Sequence, residues 1–168
     1  PKIAYPQVRS RGTFGGSISH ADPSAELVAL SVALDGNFRL RNRDRERWVP
    51  AREFFLGLFT TVLEPNELLV EASLPPMPPR SGWSLKEVAR RPHDFALIGV
   101  AAVVTLDEQR LCQQANLVFI SAGDTPMLAH KAAETLKGQS PTAEAIRAAS
   151  EIAAAQDIDP SSDIHATA

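Results

Sequence analysis

Ala96-Leu97-Ile98-Gly99-Val100-Ala101-Ala102-Val103-Val104-Thr105-Leu106, then Asp107-Glu108-Gln109-Arg110, then Leu111-Cys112-Gln113-Gln114-Ala115-Asn116-Leu117-Val118-Phe119-Ile120-Ser121 is the stretch that decides the fold. Ala96–Leu106 and Leu111–Ser121 read as long strands, and Asp107–Arg110 between them turns the pair into a hairpin. Upstream, Trp83 to Ala89 reads as a third strand. Downstream, Thr125-Pro126 and Ser140-Pro141 each set a cap-forming side chain before a proline suited to the first helical position. They predict helices over 126–137 and 141–156, the first stopped at Gly138. In the second, Ile146, Ala149, Ile152 and Ala153 share one face and leave Arg147 and Glu151 outside. Strands grouped before helices imply an α+β arrangement with a three-stranded antiparallel sheet.

Working toward the N-terminus, Pro75, Pro76, Pro78 and Pro79 crowd a short stretch and predict an extended, semi-rigid connector. It divides the chain into residues 1–78 and 79–168. Before it, Glu67 to Leu74 is a strand. Asn37–Leu40 and Arg47–Val49 form a hairpin around a solvated charged tip, Arg41 to Glu46. Asp22-Pro23 opens a helix over 23–34 that stops at Asp35-Gly36, and a short helix covers 51–59.

Composition excludes several classes. In 168 residues, 44% are hydrophobic and 22% charged, as in an ordinary globular protein rather than a disordered one. Seventeen Lys and Arg stand against 20 Asp and Glu, the wrong balance for a protein that lives by neutralising nucleic-acid phosphates. No stretch approaches the roughly 20 apolar residues of a membrane span. Cys112 is the single cysteine, so no internal disulfide and no thiolate-held cluster comes from this sequence, which fits a reducing, cytoplasmic setting. Set in a strand, it reads as a small packed hydrophobe. His20, His93, His130 and His165 lack metal-ligand spacing. No Gly-x-Ser-x-Gly elbow supports a hydrolase, and no Gly-Lys-Ser/Thr supports an ATP or GTP loop. Arg90, Arg91 and Asp94 read as a local ion-pair cluster or as an edge facing a partner.

The chemistry concentrates in Arg11-Gly12-Thr13-Phe14-Gly15-Gly16-Ser17-Ile18-Ser19-His20-Ala21-Asp22-Pro23. Adjacent glycines permit a tight turn and let a ligand approach the backbone amides, while Thr13 and Ser17 add hydroxyls on either side. Successive N–H groups in such a turn suit a phosphate or pyrophosphate. A purely structural turn fits the same residues. Glu26 reads either as a first-turn acid favoured by the helix dipole or as an acceptor for ribose hydroxyls.

This stretch resembles the second flavin loop of the molybdenum hydroxylase flavoproteins, namely the medium subunits of aerobic carbon monoxide dehydrogenases and the flavin domain of xanthine dehydrogenases. Thr13-Phe14-Gly15-Gly16-Ser17, His20-Ala21-Asp22-Pro23 and Ala25-Glu26-Leu27 carry the likeness. It continues through Pro6-Gln7-Val8-Arg9, Pro50-Ala51-Arg52-Glu53-Phe54-Phe55, Glu67-Leu68-Leu69-Val70 and Leu74-Pro75. It then runs from Lys86 through Arg90-Arg91 to Asp94-Phe95-Ala96, and on to Ile158-Asp159-Pro160 and Asp163-Ile164-His165. The implied fold is the C-terminal half of a two-subdomain FAD-binding domain (vanillyl-alcohol-oxidase/PCMH-like), followed by a small domain of sheet and helices.

The resemblance implies FAD as the cofactor and assigns residues to it. Thr13, Phe14, Gly15, Gly16 and Ser17 match the loop around the pyrophosphate. Glu26 falls against the adenosine half, Val70 and Lys86 line the flavin, and Ile3 occupies a common hydrophobic contact position. A cation at Lys86 favours a reduced, anionic flavin. Implied partners are a molybdopterin-binding large subunit and an iron–sulfur small subunit with 2Fe-2S clusters. Electrons pass from those clusters to the flavin and on to a quinone, NAD or oxygen. No residue here is expected to act as a general acid or base. Members of the family carry an earlier Gly-Gly-Ser-type loop and a later arginine-rich helix, so the chain is expected to be a fragment that by itself binds FAD weakly or not at all. A docking module of the same fold without FAD is the alternative; an unrelated nucleotide-binding enzyme requires the ordered matches to be chance.

Overall fold

The computed structural model describes residues 3–160, 162 and 166. Short helices α1 (Pro6–Arg9) and α2 (Phe14–His20) lead to α3 (Glu26–Ala33), whose Val28, Ala29, Val32 and Ala33 are buried. Strands β1 (Asn37–Arg41) and β2 (Glu46–Pro50) follow, then α4 (Ala51–Phe54), β3 (Phe55–Gly57), β4 (Thr60–Thr61) and β5 (Leu68–Ser73). Beyond the prolines come β6 (Ser81–Val88), β7 (Ile98–Leu106), β8 (Cys112–Ile120) and β9 (Met127–Leu128). Helices α5 (His130–Leu136) and α6 (Ala143–Ile152) follow, and a π-helical turn at Ala153–Asp157 completes the order.

All pairings are antiparallel, in sheets ordered β2-β1-β5, β3-β4 and β6-β7-β8-β9. The architecture is α+β, as the sequence predicts, and the Asp107 carboxylate closes the β7–β8 turn by accepting from the Gln109 and Leu111 amides. The large sheet is covered on both faces. Ala101, Val103, Val118 and Ile120 pack with Ile18, Val28, Val32, Phe38 and Phe54. Val104, Leu106, Leu117 and Phe119 pack beneath α5 and α6 with Ala132, Leu136 and Ala149. Two buried faces explain why β7, and Leu117–Ile120 of β8, read as nearly continuous apolar runs. Cys112 is sealed in the second cluster, where burial pushes its thiol pKa up.

Several boundaries depart from the sequence expectations. Asp22 does not cap the helix over 23–34; its Oδ1 accepts from the Ser24 amide (2.8 Å) in a turn, and α3 begins at Glu26. The helix expected from 126 begins at His130, because Met127 and Leu128 pair with Phe119 and Val118 as β9. This adds a fourth, very short strand to the three expected. The first amides of α5 are capped from a distance: Asp157 accepts from Lys131 N (3.0 Å) and Ala132 N (2.8 Å). Thr142 rather than Ser140 caps α6, accepting from Ala145 N (3.2 Å). The helix expected over 51–59 ends at Phe54, since Phe55 turns extended and enters a hairpin whose tip residue Phe59 has φ 52°. The stops at Asp35 (φ 53°) and Gly138 (φ 74°) fall where expected. Asp163, Ile164 and His165 lie outside the described residues.

Candidate functional site

The glycine-rich stretch forms the first turn of α2 instead of a turn between elements. Thr13 is extended (φ −122°, ψ 155°), and its Oγ1 accepts from Gly16 N at 3.0 Å. Its carbonyl accepts the first helical bond from Ser17 N at 3.1 Å. The amides of Phe14 and Gly15 precede that bond and find no acceptor among the described residues, so they are open to an external anion. Ile18, fully buried, anchors the helix in the core, and Ala21 ends it in the left-handed region (φ 56°).

Close approach favours glycine at both positions, most strongly at Gly16. A Cβ on Gly15 would stand 3.3 Å from Leu69 Cδ2 of β5, and one on Gly16 would stand 2.8 Å from Thr13 Oγ1. The first contact sets α2 directly against β5, next to Val70, whose side chain is exposed. Thr13 and Gly16 lie at the surface, while Phe14, Gly15 and Ser17 are half-buried. Glu26 is the half-buried first residue of α3. Lys86 is exposed on the edge strand β6, opposite Val100, in a different sheet from Val70. Ile3 is half-buried, and its carbonyl accepts from Arg9 Nη1 at 2.7 Å; the same nitrogen donates to Ala4 O. The fold thus joins Thr13–Ser17 to Val70 through Leu69 and holds Lys86 on the sheet beyond the linker.

A buried ion pair fixes the start of β5. Arg47 grips Glu67 with both ends of its guanidinium, Nε to Oε1 at 2.9 Å and Nη2 to Oε2 at 2.8 Å. Glu67 also accepts from Glu64 N (3.1 Å), and Arg47 Nη2 reaches Val62 O (2.8 Å). The Glu67 side chain is 1% exposed. The Arg47 hydrogen bond overcomes desolvation and pulls the Glu67 carboxyl down to about 2, while Arg47 is raised by the same partner. The site has one further feature that the sequence pattern does not reveal. His20, at the end of α2, stacks on Phe59 (4.9 Å, 30°), beside the exposed Leu56 and Leu58 of the β3–β4 hairpin. Leu58-Phe59 carries no glycine or asparagine to mark a left-handed tip.

The arrangement offers free backbone donors beside an apolar strand surface. Among the described residues, no group of three or more His, Cys, Asp or Glu side chains is placed to hold a metal ion. No helix among them is long and apolar enough to cross a membrane. The residues present fit a cofactor with an anionic link and a flat apolar part, because the Phe14 and Gly15 amides are unclaimed and Gly15 leaves space that a side chain would fill.

Known proteins share this fold. Residues 1–77 match the family profile described as the FAD binding domain in molybdopterin dehydrogenase. Residues 83–168 match that of the CO dehydrogenase flavoprotein C-terminal domain. The chain is 38% identical over 166 residues to the 6-hydroxypseudooxynicotine dehydrogenase complex subunit alpha of Paenarthrobacter nicotinovorans, covering 99% of this chain and 56% of that protein. It is 36% identical to the carbon monoxide dehydrogenase medium chain of Hydrogenophaga pseudoflava, covering 91% of this chain and 53% of that one. Among solved structures, carbon monoxide dehydrogenase from the same organism, in a form lacking the Mo-pyranopterin moiety, matches with a TM-score of 0.90 at 36% identity. That match covers 97% of this chain and 56% of the other. Quinoline 2-oxidoreductase from Pseudomonas putida 86 matches with a TM-score of 0.89 at 32% identity, covering 99% and 57%. The chain spans about half the length of the curated relatives it matches. Profiles on both sides of the proline run, relatives aligned across nearly the whole chain and a shared fold agree: the chain belongs to the FAD-binding flavoprotein family of molybdopterin dehydrogenases.

Proposed function

We propose that the polypeptide carrying this chain is the FAD-binding, electron-transfer subunit of a molybdopterin-dependent hydroxylase or dehydrogenase. In that oxidoreductase it works beside a molybdopterin-binding large subunit and a small subunit with 2Fe-2S clusters. FAD, when bound, supplies the stepwise redox chemistry that links iron–sulfur clusters to an acceptor. The chain's own residues hold it. The amides of Phe14 and Gly15 face the pyrophosphate, with the Thr13 cap fixing the helix end and Ser17 adding a hydroxyl. Glu26 would accept from the ribose, Val70 and Lys86 would line the flavin, and Ile3 would make an apolar contact with the cofactor. The division into residues 1–78 and 79–168 belongs to the same reading, as do a cytoplasmic setting and hydroxylation on the large subunit.

One observation carries the proposal: a capped helix end with two unclaimed amides lies against β5 at the glycine pair. Gly16→Ala tests it in the full-length subunit. The new methyl collides with Thr13 Oγ1 and dislodges the cap. FAD affinity should fall about fivefold, corresponding to the roughly 1 kcal/mol value of such a cap. Thr13→Ser, which keeps the acceptor, should bind as the parent does. Equal affinity in Gly16→Ala, measured by flavin fluorescence titration, would refute this role for the helix end. A folded parent subunit with no affinity for FAD would favour the docking-module alternative.

A further inference from the structure

The two sides of the proline run are joined by hydrogen bonds at Ser121, whose N donates to Pro23 O (3.1 Å) and whose Oγ donates to Ser24 Oγ (3.0 Å), and at one buried amide. Asn116, in mid-β8 and opposite Val103, is 7% exposed. Its Nδ2 donates to Ala33 O (2.9 Å) and to Asp35 Oδ2 (2.9 Å). Its Oδ1 accepts from Arg52 Nη2 (3.0 Å), which also donates to Asp35 Oδ1 (2.6 Å). The end of α3, α4 and β8 thereby close a polar ring in which Asn116 is buried while Arg52 and Asp35 reach the surface. An amide suits this position because it both donates and accepts. A carboxylate would confront Asp35, and a leucine would leave Ala33 O and one Arg52 donor without their partner.

The ring does what the surrounding apolar contacts cannot. Packing of α3 on β7 and β8 is non-directional, and residues 74–80 between the halves are exposed. Hydrogen bonds from one side chain to two separate segments, the end of α3 and α4, fix an angle as well as a distance. Resting on the flavin reading above, we infer that Asn116 is a positioning residue for the cofactor site. It sets the sheet that carries Lys86 against the half that carries Thr13–Ser17 and Val70, without touching the cofactor itself.

The test uses the full-length subunit in its complex and compares Asn116→Asp, the exchanged pair Asp35→Asn/Asn116→Asp, and Leu136→Ala. Leu136 belongs to the separate cluster beneath α5 and α6 and controls for lost stability. Asn116→Asp should weaken FAD binding about tenfold, a coupling of ordinary size, and shift the flavin circular dichroism. The exchanged pair should recover part of both, because an amide at 35 can donate to the carboxylate at 116 while Ala33 O still lacks its donor. Leu136→Ala should lower the melting temperature and leave FAD affinity unchanged. Equal loss of FAD in Asn116→Asp and Leu136→Ala, or no recovery in the exchanged pair, would overturn the inference. Trypsin cleavage after Arg80 provides a readout without cofactor: it should accelerate in Asn116→Asp, but not in Leu136→Ala. An unchanged cleavage rate in Asn116→Asp overturns the joint even if the parent binds FAD. A parent without FAD, whose Asn116→Asp form is cleaved faster, keeps the joint and rejects the flavin reading.

Discussion

Replacing Arg47 by alanine is expected to cost the full-length subunit about 3 kcal/mol at neutral pH, because it leaves the Glu67 carboxylate buried without its counterion. Glu67 would keep the Glu64 amide at 3.1 Å and a distant Arg45 at 3.8 Å, too little for a side chain 1% exposed. Removing Glu67 instead should cost less, since Arg47 is 34% exposed and recovers water. The pH dependence has a definite sign. A carboxyl lowered from 4.5 to about 2 by folding stabilises the native state fully above pH 4.5. That contribution, about 3 kcal/mol, disappears as pH falls from 4.5 through 2. Urea titrations across this window should show parent stability falling more steeply than that of Glu67→Gln. Parallel curves would mean that the pair does not control acid stability.

Phe54→Ala should be the most damaging single truncation, costing about 4 kcal/mol. The ring is fully buried and meets Phe38 edge-on at 4.8 Å and Phe55 at 5.1 Å. Its carbonyl also accepts from Val62 N at 3.0 Å, so the backbone there holds β4 in place. The surrounding elements are pinned by β-pairing and cannot collapse into the space left behind, which puts the cost toward the upper end. Phe54→Leu should lose less than about 1.5 kcal/mol. Leu58→Ala, at an exposed hairpin position, should lose under about 0.5 kcal/mol. Denaturation midpoints rank the three. A loss below about 1 kcal/mol for Phe54→Ala would show that the three-phenylalanine cluster is not the anchor of this half.

The parts of the fold legible in sequence are those where one local rule meets no tertiary rival. β7 and β8 declare themselves because both faces are covered, and Asp107 supplies the turn in one residue. Helix beginnings were less legible, because a proline after a capping residue fits both a helix start and a turn. At Asp22-Pro23 the turn wins, since the Asp22 side chain is taken by Ser24 N. At Met127-Leu128 the edge of β8 takes the backbone, and the cap comes from Asp157, about 25 residues away and invisible to any local pattern. The glycine pair shows the converse. Freedom to turn does not compel a turn, and the Thr13 cap with buried Ile18 commits Gly15-Gly16 to a helix. At the candidate site, the contiguity of Thr13–Ser17 was legible. The contact with Leu69 and the Asn116 ring depend on strand register across long separations, which composition and spacing do not encode.

The central claim, that this chain helps to hold FAD in a molybdopterin-dependent enzyme, is tested most directly by the flavin content of the purified full complex. Denaturing the complex and quantifying the released cofactor should give about one FAD per copy of this subunit. The Gly16→Ala complex, dialysed alongside, should retain far less at intact subunit composition. A folded complex that releases no FAD would contradict the account.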